Sequence, residues 1–282
     1  LAHFLKEILP TKHCFHTKDH VKQNLKKNRE TLKRLQAEPS HVQRSPEWFA
    51  FRRSALTASN IVKIINGSDR DKKAIVLDKC GHEKRFFTNA ACQHGIKYED
   101  AAIQIYESRS KKKVHEFGCL RHSIFPFLAA SPDGITEDGI MVEIKCPYSR
   151  TITELPKADY YEQMQLQLEV CDLDICHFLE CEIKEYKDFD EYKADVYKKG
   201  KGNNIFLNSK GLEKGCLVQI RQEHSNGSIK YKYCPIDTKP GDIMTWIEEQ
   251  QGMVSEEDKA KNGIKIEPIF WKLERYSCIE IY

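Results

Sequence analysis

The chain has 282 residues, of which 40% are hydrophobic and 31% charged, with 45 Lys and Arg against 42 Asp and Glu. These proportions are typical of a globular chain with one large domain or two small ones, and they exclude a fibrous protein and a disordered tail. The net charge of +3 is too small to indicate nucleic-acid binding by itself, so a strong field can come only from clustered residues.

Apolar segments in the sequence are short. No apolar run approaches the roughly 18 residues that a membrane-spanning helix needs. Lys6 and Glu7 interrupt the first apolar stretch, which argues against a secretory signal. We therefore expect an intracellular protein that is not secreted and has no membrane partner.

Cysteine is abundant but irregularly spaced. The eleven cysteines are odd in number and contain no C-x-x-C pair, which argues against a disulfide framework or a zinc ribbon. Cys171, Cys176 and Cys181 are spaced five residues apart, and we expect them to be buried reduced thiols. An iron–sulfur cluster is the alternative, although such clusters usually have tighter cysteine spacing.

Residues 1–44 form a basic N-terminal extension, with ten Lys and Arg against four Asp and Glu. Its apolar residues recur on one face of a predicted helix: Val21, Leu25, Leu32 and Leu35. Two interpretations stay open. The helix is either a solvated amphipathic helix docked on the body of the protein, or its basic face lies along a polyanion.

The next part of the chain alternates helices and strands. Ser45-Pro46 and Thr57 are good helix starts, because Ser and Thr suit the N-cap and Pro suits the first turn. The predicted elements are helices from Ser45, from Thr57 to Asn66 and from about Thr88 to Ser108, strands at Phe125–Ala130 and Ile140–Cys146, a helix at Tyr160–Val170 and a strand at Ile175–Ile183. This order indicates an α/β or α+β fold with a small mixed sheet.

Residues beyond 186 are predicted to be rich in strands. Lys187–Asn204 is polar and predicts a loop or a frayed helix, and Asn226-Gly227 between two apolar segments is a strong hairpin signal. Residues 242–250 are predicted to be helical, and 264–281 alternate like one or two closing strands. The sequence has no repeat and no low-complexity linker. We therefore expect a single domain over 1–282, divided into the extension 1–44, a core at 45–186 and a C-terminal elaboration at 187–282.

One stretch concentrates the candidate catalytic residues. Asp133 lies in a Ser-Pro-Asp-Gly turn, and Glu143-Ile144-Lys145 follows ten residues later. In a strand, Glu143 and Lys145 point to the same face and Ile144 to the other. A hairpin-like return would bring Asp133 beside Glu143, and two neighbouring carboxylates are tolerable only with a divalent cation or a proton between them.

A hard cation such as Mg²⁺ suits these oxygen ligands. Lys145 could then orient the attacking water and stabilise charge on phosphate oxygens. Glu99, on a helix flanked by apolar residues, needs a partner that such a metal site could supply. The alternative is a surface hairpin with an incidental ion pair between Glu143 and Lys145.

These residues together resemble a known nuclease family. The motifs are Asp133, Glu143-x-Lys145, Gly95-x-x-Tyr98-Glu99, and Glu47-Trp48-x-x-x-Arg52 followed by Thr57-Ala58-Ser59. Their types and order resemble the phage-lambda-type 5′-3′ exonucleases and viral recombination (alkaline) nucleases of the PD-(D/E)XK superfamily. The resemblance extends from about residue 45 to 170 and is strongest with the versions carried by large DNA viruses of eukaryotes.

The resemblance implies an α/β fold with a restriction-endonuclease-like core, in which helices flank a small mixed central sheet, plus an N-terminal helical extension and a β-rich C-terminal elaboration. It implies a Mg²⁺-dependent deoxyribonuclease, with Mn²⁺ as a substitute, that hydrolyses one strand of linear double-stranded DNA from the 5′ end. The expected setting is viral DNA recombination, repair or genome processing. The alternatives are an endonuclease or RNA-degrading nuclease on the same core, or a non-catalytic DNA-binding recombination scaffold.

The resemblance also implies roles for particular residues at the metal. Asp133 and Glu143 would hold the cation together with the backbone carbonyl of Ile144. Glu99 would complete the metal site from its helix. Lys145 would position the nucleophilic water.

For the DNA end, the resemblance implies that Arg52 and Ser59 bind the terminal 5′-phosphate and that Gln165, the second glutamine of a Q-x-Q pattern, holds water or phosphate. A helix N-terminus near Ser59 and a guanidinium both suit an anion, whereas a solvent-exposed Arg52-Arg53 pair is the alternative. The implied partners are double-stranded DNA with a free end and a single-strand annealing protein. Monomer and ring both stay open, and the expected compartment for a viral protein is the host cytoplasm or nucleus.

Overall fold

The computed structural model describes residues 18–39, 41–82, 89–199, 202–222 and 229–282. The start of the basic extension, the predicted helix start at Thr88 and the predicted turn at Asn226-Gly227 lie outside these ranges. No helix within them is long and apolar enough to cross a membrane.

The helices of the described residues begin largely where the sequence indicates. They are α1 (Lys18–Ala37), α2 (Pro46–Arg53), α3 (Ala58–Ile65), α4 (Asp69–Lys79), α5 (Ala90–Ser110), α6 (Ala158–Cys171), α7 (Phe189–Ala194), α8 (Pro240–Gly252) and α9 (Glu256–Asn262). Ser45 caps α2, and its hydroxyl accepts a hydrogen bond from the Trp48 N–H at 3.1 Å. At α3, Thr57 is the N-cap and forms a capping box with Asn60. Local capping chemistry therefore sets both starts.

Twelve strands are found in the described ranges, and most of them join one mixed sheet. They are β1 (Leu56–Thr57), β2 (Val114–His115), β3 (Leu120–Arg121), β4 (Leu128–Ala130), β5 (Gly134–Thr136), β6 (Met141–Lys145), β7 (Cys176–Glu185), β8 (Tyr197–Lys199), β9 (Gly202–Asn204), β10 (Lys214–Gln222), β11 (Ile229–Tyr233) and β12 (Ile264–Ile281). The main sheet has the order β11-β10-β12-β7-β6-β5-β2. Strands β1, β4 and β3 form a smaller sheet, and β8 pairs with β9.

The centre of the main sheet is a hairpin followed by a crossover. Strands β5 and β6 are antiparallel, whereas β6 and β7 are parallel, so α6 carries the chain from one end of the sheet back to the other. On β6, Met141 packs in a core cluster with α1, α3 and α6, and Val142 and Ile144 pack in a second cluster with α5. Helices therefore cover both faces of the mixed sheet, which confirms the expected α/β fold class.

The two peripheral parts of the chain attach to this core. Leu32 and Leu35 of α1 are buried in the cluster that contains α6, and Arg34 of α1 reaches Asp172 at 3.3 Å. The described part of the basic extension is therefore docked on the body, as the first of the two interpretations has it. In the C-terminal elaboration, β12 pairs with β10 through Ile264–Lys272 and with β7 through Trp271–Ile281, so β10 to β12 extend the same sheet.

Several elements differ from the sequence predictions. The strand predicted at Phe125–Ala130 is reduced to β4, because the Leu128 N–H donates to the Phe125 carbonyl in a turn. The polar segment Lys187–Asn204, predicted to be a loop or a frayed helix, contains helix α7 and the short strands β8 and β9. Helix α4 was not predicted, although Ser68 and Asp71 form a capping box at its start. The closing segment is one continuous strand of 18 residues.

The cysteines agree with the sequence prediction. All ten that the structure describes are free thiols. Cys171, Cys176 and Cys181 are each buried. The expectation of buried reduced thiols is confirmed for these three residues.

Candidate active site

The β5–β6 hairpin brings the acidic turn and the acid–lysine pair together. Gly134 is paired with Val142, and one step further along this antiparallel register sets Asp133 opposite Glu143. The backbone N–H of Ile144 donates to Asp133 Oδ2 at 2.7 Å, which fixes the aspartate against β6. Asp133 thus approaches the strand that carries Glu143, as the hairpin-like return predicts.

Gly134 allows strands β2 and β5 to pack closely. A Cβ on Gly134 would lie 2.3 Å from Val114 Cγ1, so only glycine lets β2 pack so closely against β5. The glycine after Asp133 is therefore required by the close packing of β2 against β5.

Glu143 is held by three side chains in the interior. Its exposed fraction is 2%, and its carboxylate forms an ion pair with the Lys145 ammonium. Gln163 Nε2 donates to Glu143 Oε1 and Gln167 Nε2 to Oε2, each at 2.8 Å. Charge-assisted hydrogen bonds to both oxygens leave the carboxylate little rotational freedom. Glu143 is therefore fixed in orientation before any ligand arrives.

Lys145 remains a cation in these surroundings. Burial alone would lower its pKa, but the carboxylates of Glu143 and Asp133 outweigh that effect and raise the pKa above its usual value. The ring of Tyr160 lies beneath the ammonium, with its centroid 5.0 Å from Nζ. Lys145 can therefore donate hydrogen bonds and offset negative charge, but it cannot accept a proton.

Asp133 and Glu99 add negative charge to the same region. Burial, Glu143 and Glu99 together raise the pKa of Asp133 well above its usual range. Glu99, on α5, pairs with Arg44 at 2.8 Å, yet burial still raises its pKa. Three carboxylates thus lie close enough to repel one another in a poorly solvated place.

The chemistry of this donor set fits a hard divalent cation. Carboxylate oxygens are the ligands that Mg²⁺ takes, and a cation would relieve the repulsion that raises the pKa of Asp133. In a strand, the N–H and C=O of one residue point to the same neighbouring strand. The Ile144 carbonyl therefore lies on the edge of β6 from which its N–H reaches Asp133.

The carboxylates already have other partners, however. Glu143 is turned to Lys145, and Glu99 to Arg44. Consistent with this, no three His, Cys, Asp or Glu side chains in the described ranges converge as a ready set of metal ligands. A cation at this place would compete with Arg44 and Lys145 for the carboxylates.

Next to the carboxylates lies a pocket suited to an anion. Arg52 donates from Nη1 to Ser131 Oγ at 2.9 Å and from Nη2 to Ser59 Oγ at 3.1 Å, and its guanidinium stacks on Trp48. Burial lowers the pKa of Arg52, so an anion here would stabilise its charge. Thr57 is the N-cap of α3, as the sequence predicts, and Ser59 lies in the first turn of that helix.

The anion pocket and the carboxylates share one cavity. A cavity of about 180 Å³ is lined by Arg52 and Ser59 together with Asp133 and Glu99. Its remaining walls come from several helices and the loop before β5: Gln43, Arg44, Trp48, Ala58, Ser131, Gln163 and Gln167. Residues from positions 43 to 167 thus meet around a single small space.

Gln165 lies elsewhere, and its expected role at the site is wrong. Its Nε2 donates to the Tyr282 carbonyl at 3.0 Å, near the end of β12. Each helical residue turns by about 100°, so positions two apart face nearly opposite sides while positions four apart share a face. Gln163 and Gln167 therefore reach Glu143, and Gln165 cannot.

A second, larger cleft also adjoins these carboxylates. It has a volume of about 670 Å³ and is lined by Asp133 and Glu99 together with Lys145, Tyr148 and Arg150. Arg150 forms an ion pair with the buried carboxylate of Glu180 on β7. Sequence reasoning missed Arg150, Glu180 and Ser131, because each meets the site through a contact distant in the chain.

Comparisons with known proteins agree with the motifs. Residues 47–174 match the YqaJ-like viral recombinase domain. An uncharacterized protein, R354, of Acanthamoeba polyphaga mimivirus is 33% identical over 270 residues, which cover 85% of this chain and 48% of the relative. The chain thus spans about half the length of the curated relative that it matches. The match to this domain confirms the resemblance to viral recombination proteins over residues 47–174.

Three solved structures are similar to parts of the chain. Two are of LHK-Exo, an alkaline exonuclease from Laribacter hongkongensis, both 29% identical. The complex with dAMP covers 49% of this chain and 74% of LHK-Exo with a TM-score of 0.44, and the other covers 48% and 73% with a TM-score of 0.43. A phage-related exonuclease from Haemophilus somnus 129PT is 16% identical, covers 45% and 67%, and has a TM-score of 0.37.

Proposed function

We propose that this protein is a metal-dependent deoxyribonuclease that hydrolyses one strand of linear double-stranded DNA from its 5′ end. The observation that carries the proposal is the single cavity in which Arg52 and Ser59 stand beside Asp133 and Glu99. A site for a terminal phosphate next to a cluster of buried carboxylates suits an enzyme that cuts phosphodiester bonds at a DNA end. The similarity of residues 47–174 to the YqaJ-like viral recombinase domain supports a setting in viral DNA recombination.

Asp133, Glu143 and Glu99, with the Ile144 carbonyl, would hold Mg²⁺, and the same oxygen donors accept Mn²⁺. When bound, the cation would lower the pKa of water and offset charge on the phosphate oxygens. Glu143 would keep its orientation through hydrogen bonds from two amides of α6. Lys145, protonated and fixed by Glu143, would orient the attacking water and stabilise the negative charge that develops on the phosphate.

Arg52 and Ser59 would bind the terminal 5′-phosphate. A guanidinium offers paired N–H donors for two phosphate oxygens, and Trp48 keeps its plane fixed. Because the pocket is small and adjoins the carboxylates, the anchored phosphate would define which phosphodiester bond is cut. Preference for a phosphorylated 5′ end follows from this arrangement.

A nuclease assay on linear duplex DNA tests the proposal. Duplexes labelled at the 5′ or the 3′ end are incubated with Mg²⁺ or with EDTA, using wild type, Glu143→Gln, Lys145→Gln and the exposed control Glu248→Gln on α8. We expect early release of the 5′ label, no digestion in EDTA, and a rate at least about 100-fold lower in the two site variants. The Glu248 variant should digest DNA as the wild type does.

Other outcomes identify the alternatives. Digestion that persists in EDTA or in Glu143→Gln would refute the metal-dependent mechanism. Cleavage of closed circular DNA or of RNA would indicate an endonuclease or an RNA-degrading enzyme, and binding of DNA ends without any product would indicate a scaffold. A single-strand annealing partner, and the choice between monomer and ring, stay predictions.

A further inference from the structure

Arg44 occupies a strained backbone position at the edge of the cavity. Its φ is +64°, in the left-handed region that residues other than glycine rarely adopt. It directly precedes Ser45, the N-cap of α2. The preceding Gln43 donates from Nε2 to the carbonyls of Phe117 at 3.1 Å and Pro132 at 3.4 Å, which ties this turn to the loop that carries the acidic residues.

The side chain of Arg44 acts as a counter-ion for Glu99. Its Nη2 lies 2.8 Å from Glu99 Oε2. The other charged groups acting on Glu99 include Asp100 and Glu143, both of which raise its pKa, whereas Arg44 lowers it. Arg44 is 45% exposed and Glu99 only 21%, so the guanidinium is the more solvated partner of the pair. Arg44 therefore supplies positive charge where a cation would otherwise sit.

We propose that Arg44 holds Glu99 in the cation-free protein and turns to the 5′-phosphate of DNA when a divalent cation takes Glu99. This inference rests on the proposed function, because it assigns Glu99 to the cation and Arg52 to the phosphate. Arg44 already lines the cavity that Arg52 and Ser59 also line, so an anion bound in that cavity would lie near it. Because the cation and Arg44 compete for Glu99, a bound cation frees Arg44 for the phosphate, and a phosphate that holds Arg44 frees Glu99 for the cation. The two ligands therefore bind cooperatively.

Calorimetric titration of the protein with Mn²⁺ alone tests the competition between the cation and Arg44 for Glu99. We expect Arg44→Gln and Arg44→Gly to bind Mn²⁺ about fivefold more tightly than wild type, the lower end of typical coupling between sites. Glycine suits a positive φ, so agreement between the two variants excludes a backbone effect. The control Arg34→Gln removes an arginine of similar exposure, 43%, that pairs with Asp172 on the surface, and it should leave Mn²⁺ affinity unchanged. Equal or weaker Mn²⁺ binding in both Arg44 variants would overturn the inference.

The phosphate arm uses a Lys145→Gln background to prevent turnover. In that background, a 5′-phosphorylated duplex should tighten Mn²⁺ binding more than a 5′-hydroxyl duplex, and Arg44→Gln should remove most of that difference. A difference that persists in Arg44→Gln would contradict a role for Arg44 at the phosphate. If wild type digests linear duplex while the Arg44 variants leave Mn²⁺ affinity unchanged, this inference fails and the proposed function stands. If wild type neither binds Mn²⁺ nor digests DNA, both fail.

Discussion

Replacing Asp133 by Asn should stabilise the cation-free protein. Asn can still accept the hydrogen bond from the Ile144 N–H, but it removes a charge that burial, Glu143 and Glu99 all disfavour. Opposed positions in a hairpin place the Cβ atoms about 5 Å apart, and two unit charges at that separation repel by about 3 kcal/mol at an effective dielectric constant of about 20. Attraction to Lys145 offsets part of this repulsion, so we expect a net gain of about 1–2 kcal/mol.

Thermal unfolding in EDTA and in Mg²⁺ measures this effect. At neutral pH in EDTA, Asp133→Asn should raise Tm by about 2–8 °C. In Mg²⁺ the wild type should gain stability by binding the cation and the variant should not, so the difference should shrink or reverse. The exposed control Asp237→Asn should follow the wild type in both buffers. Lower stability of Asp133→Asn in EDTA would refute the account of Asp133 as a carboxylate under repulsion.

The stability difference between Asp133→Asn and the wild type in EDTA should increase as the pH rises. The pKa of Asp133 is higher in the folded protein than in the unfolded chain, where an aspartate has a pKa of about 3.9. The stability that its proton contributes is fully present below that value and is lost as pH rises through the folded-state pKa. The advantage of Asp133→Asn should therefore grow from acid toward neutral pH, and a constant advantage would contradict this cause.

Three further predictions follow from the contacts at the site and the core. Arg52→Ala should slow digestion of 5′-phosphorylated duplex by about tenfold or more and leave 5′-hydroxyl duplex nearly unaffected, since hydrogen bonds to charged groups are worth about 1.5–3 kcal/mol; equal slowing on both ends would contradict a phosphate pocket. Gln167→Ala should lower the nuclease rate by about tenfold, whereas Gln165→Ala should not, because only the former contacts Glu143. Leu35→Ala should lower the free energy of unfolding in urea by about 2–4 kcal/mol, and exposed Lys33→Ala should not; similar values would mean that α1 is not docked.

Sequence reasoning worked best where the geometry is local. Ser45-Pro46 starts a helix because capping needs only adjacent residues. Asp133 meets the strand of Glu143 because ten residues of hairpin return the chain on itself, and Glu143 and Lys145 share a face because strand side chains alternate. The reduction of Phe125–Ala130 to β4 shows the limit, since an apolar run alone does not distinguish a strand from a turn that carries apolar side chains.

The amino-acid sequence by itself determined the nuclease-like motifs, the helix starts and the acidic hairpin, since each depends on neighbours within about ten residues. Only the tertiary structure decided that Gln163 and Gln167, and not Gln165, face Glu143, because helical periodicity groups side chains but does not say which group meets the sheet. It also decided that Arg44 meets Glu99 across 55 residues of chain. The physical reason is that such contacts follow from the packing of whole elements against one another, which no local pattern encodes.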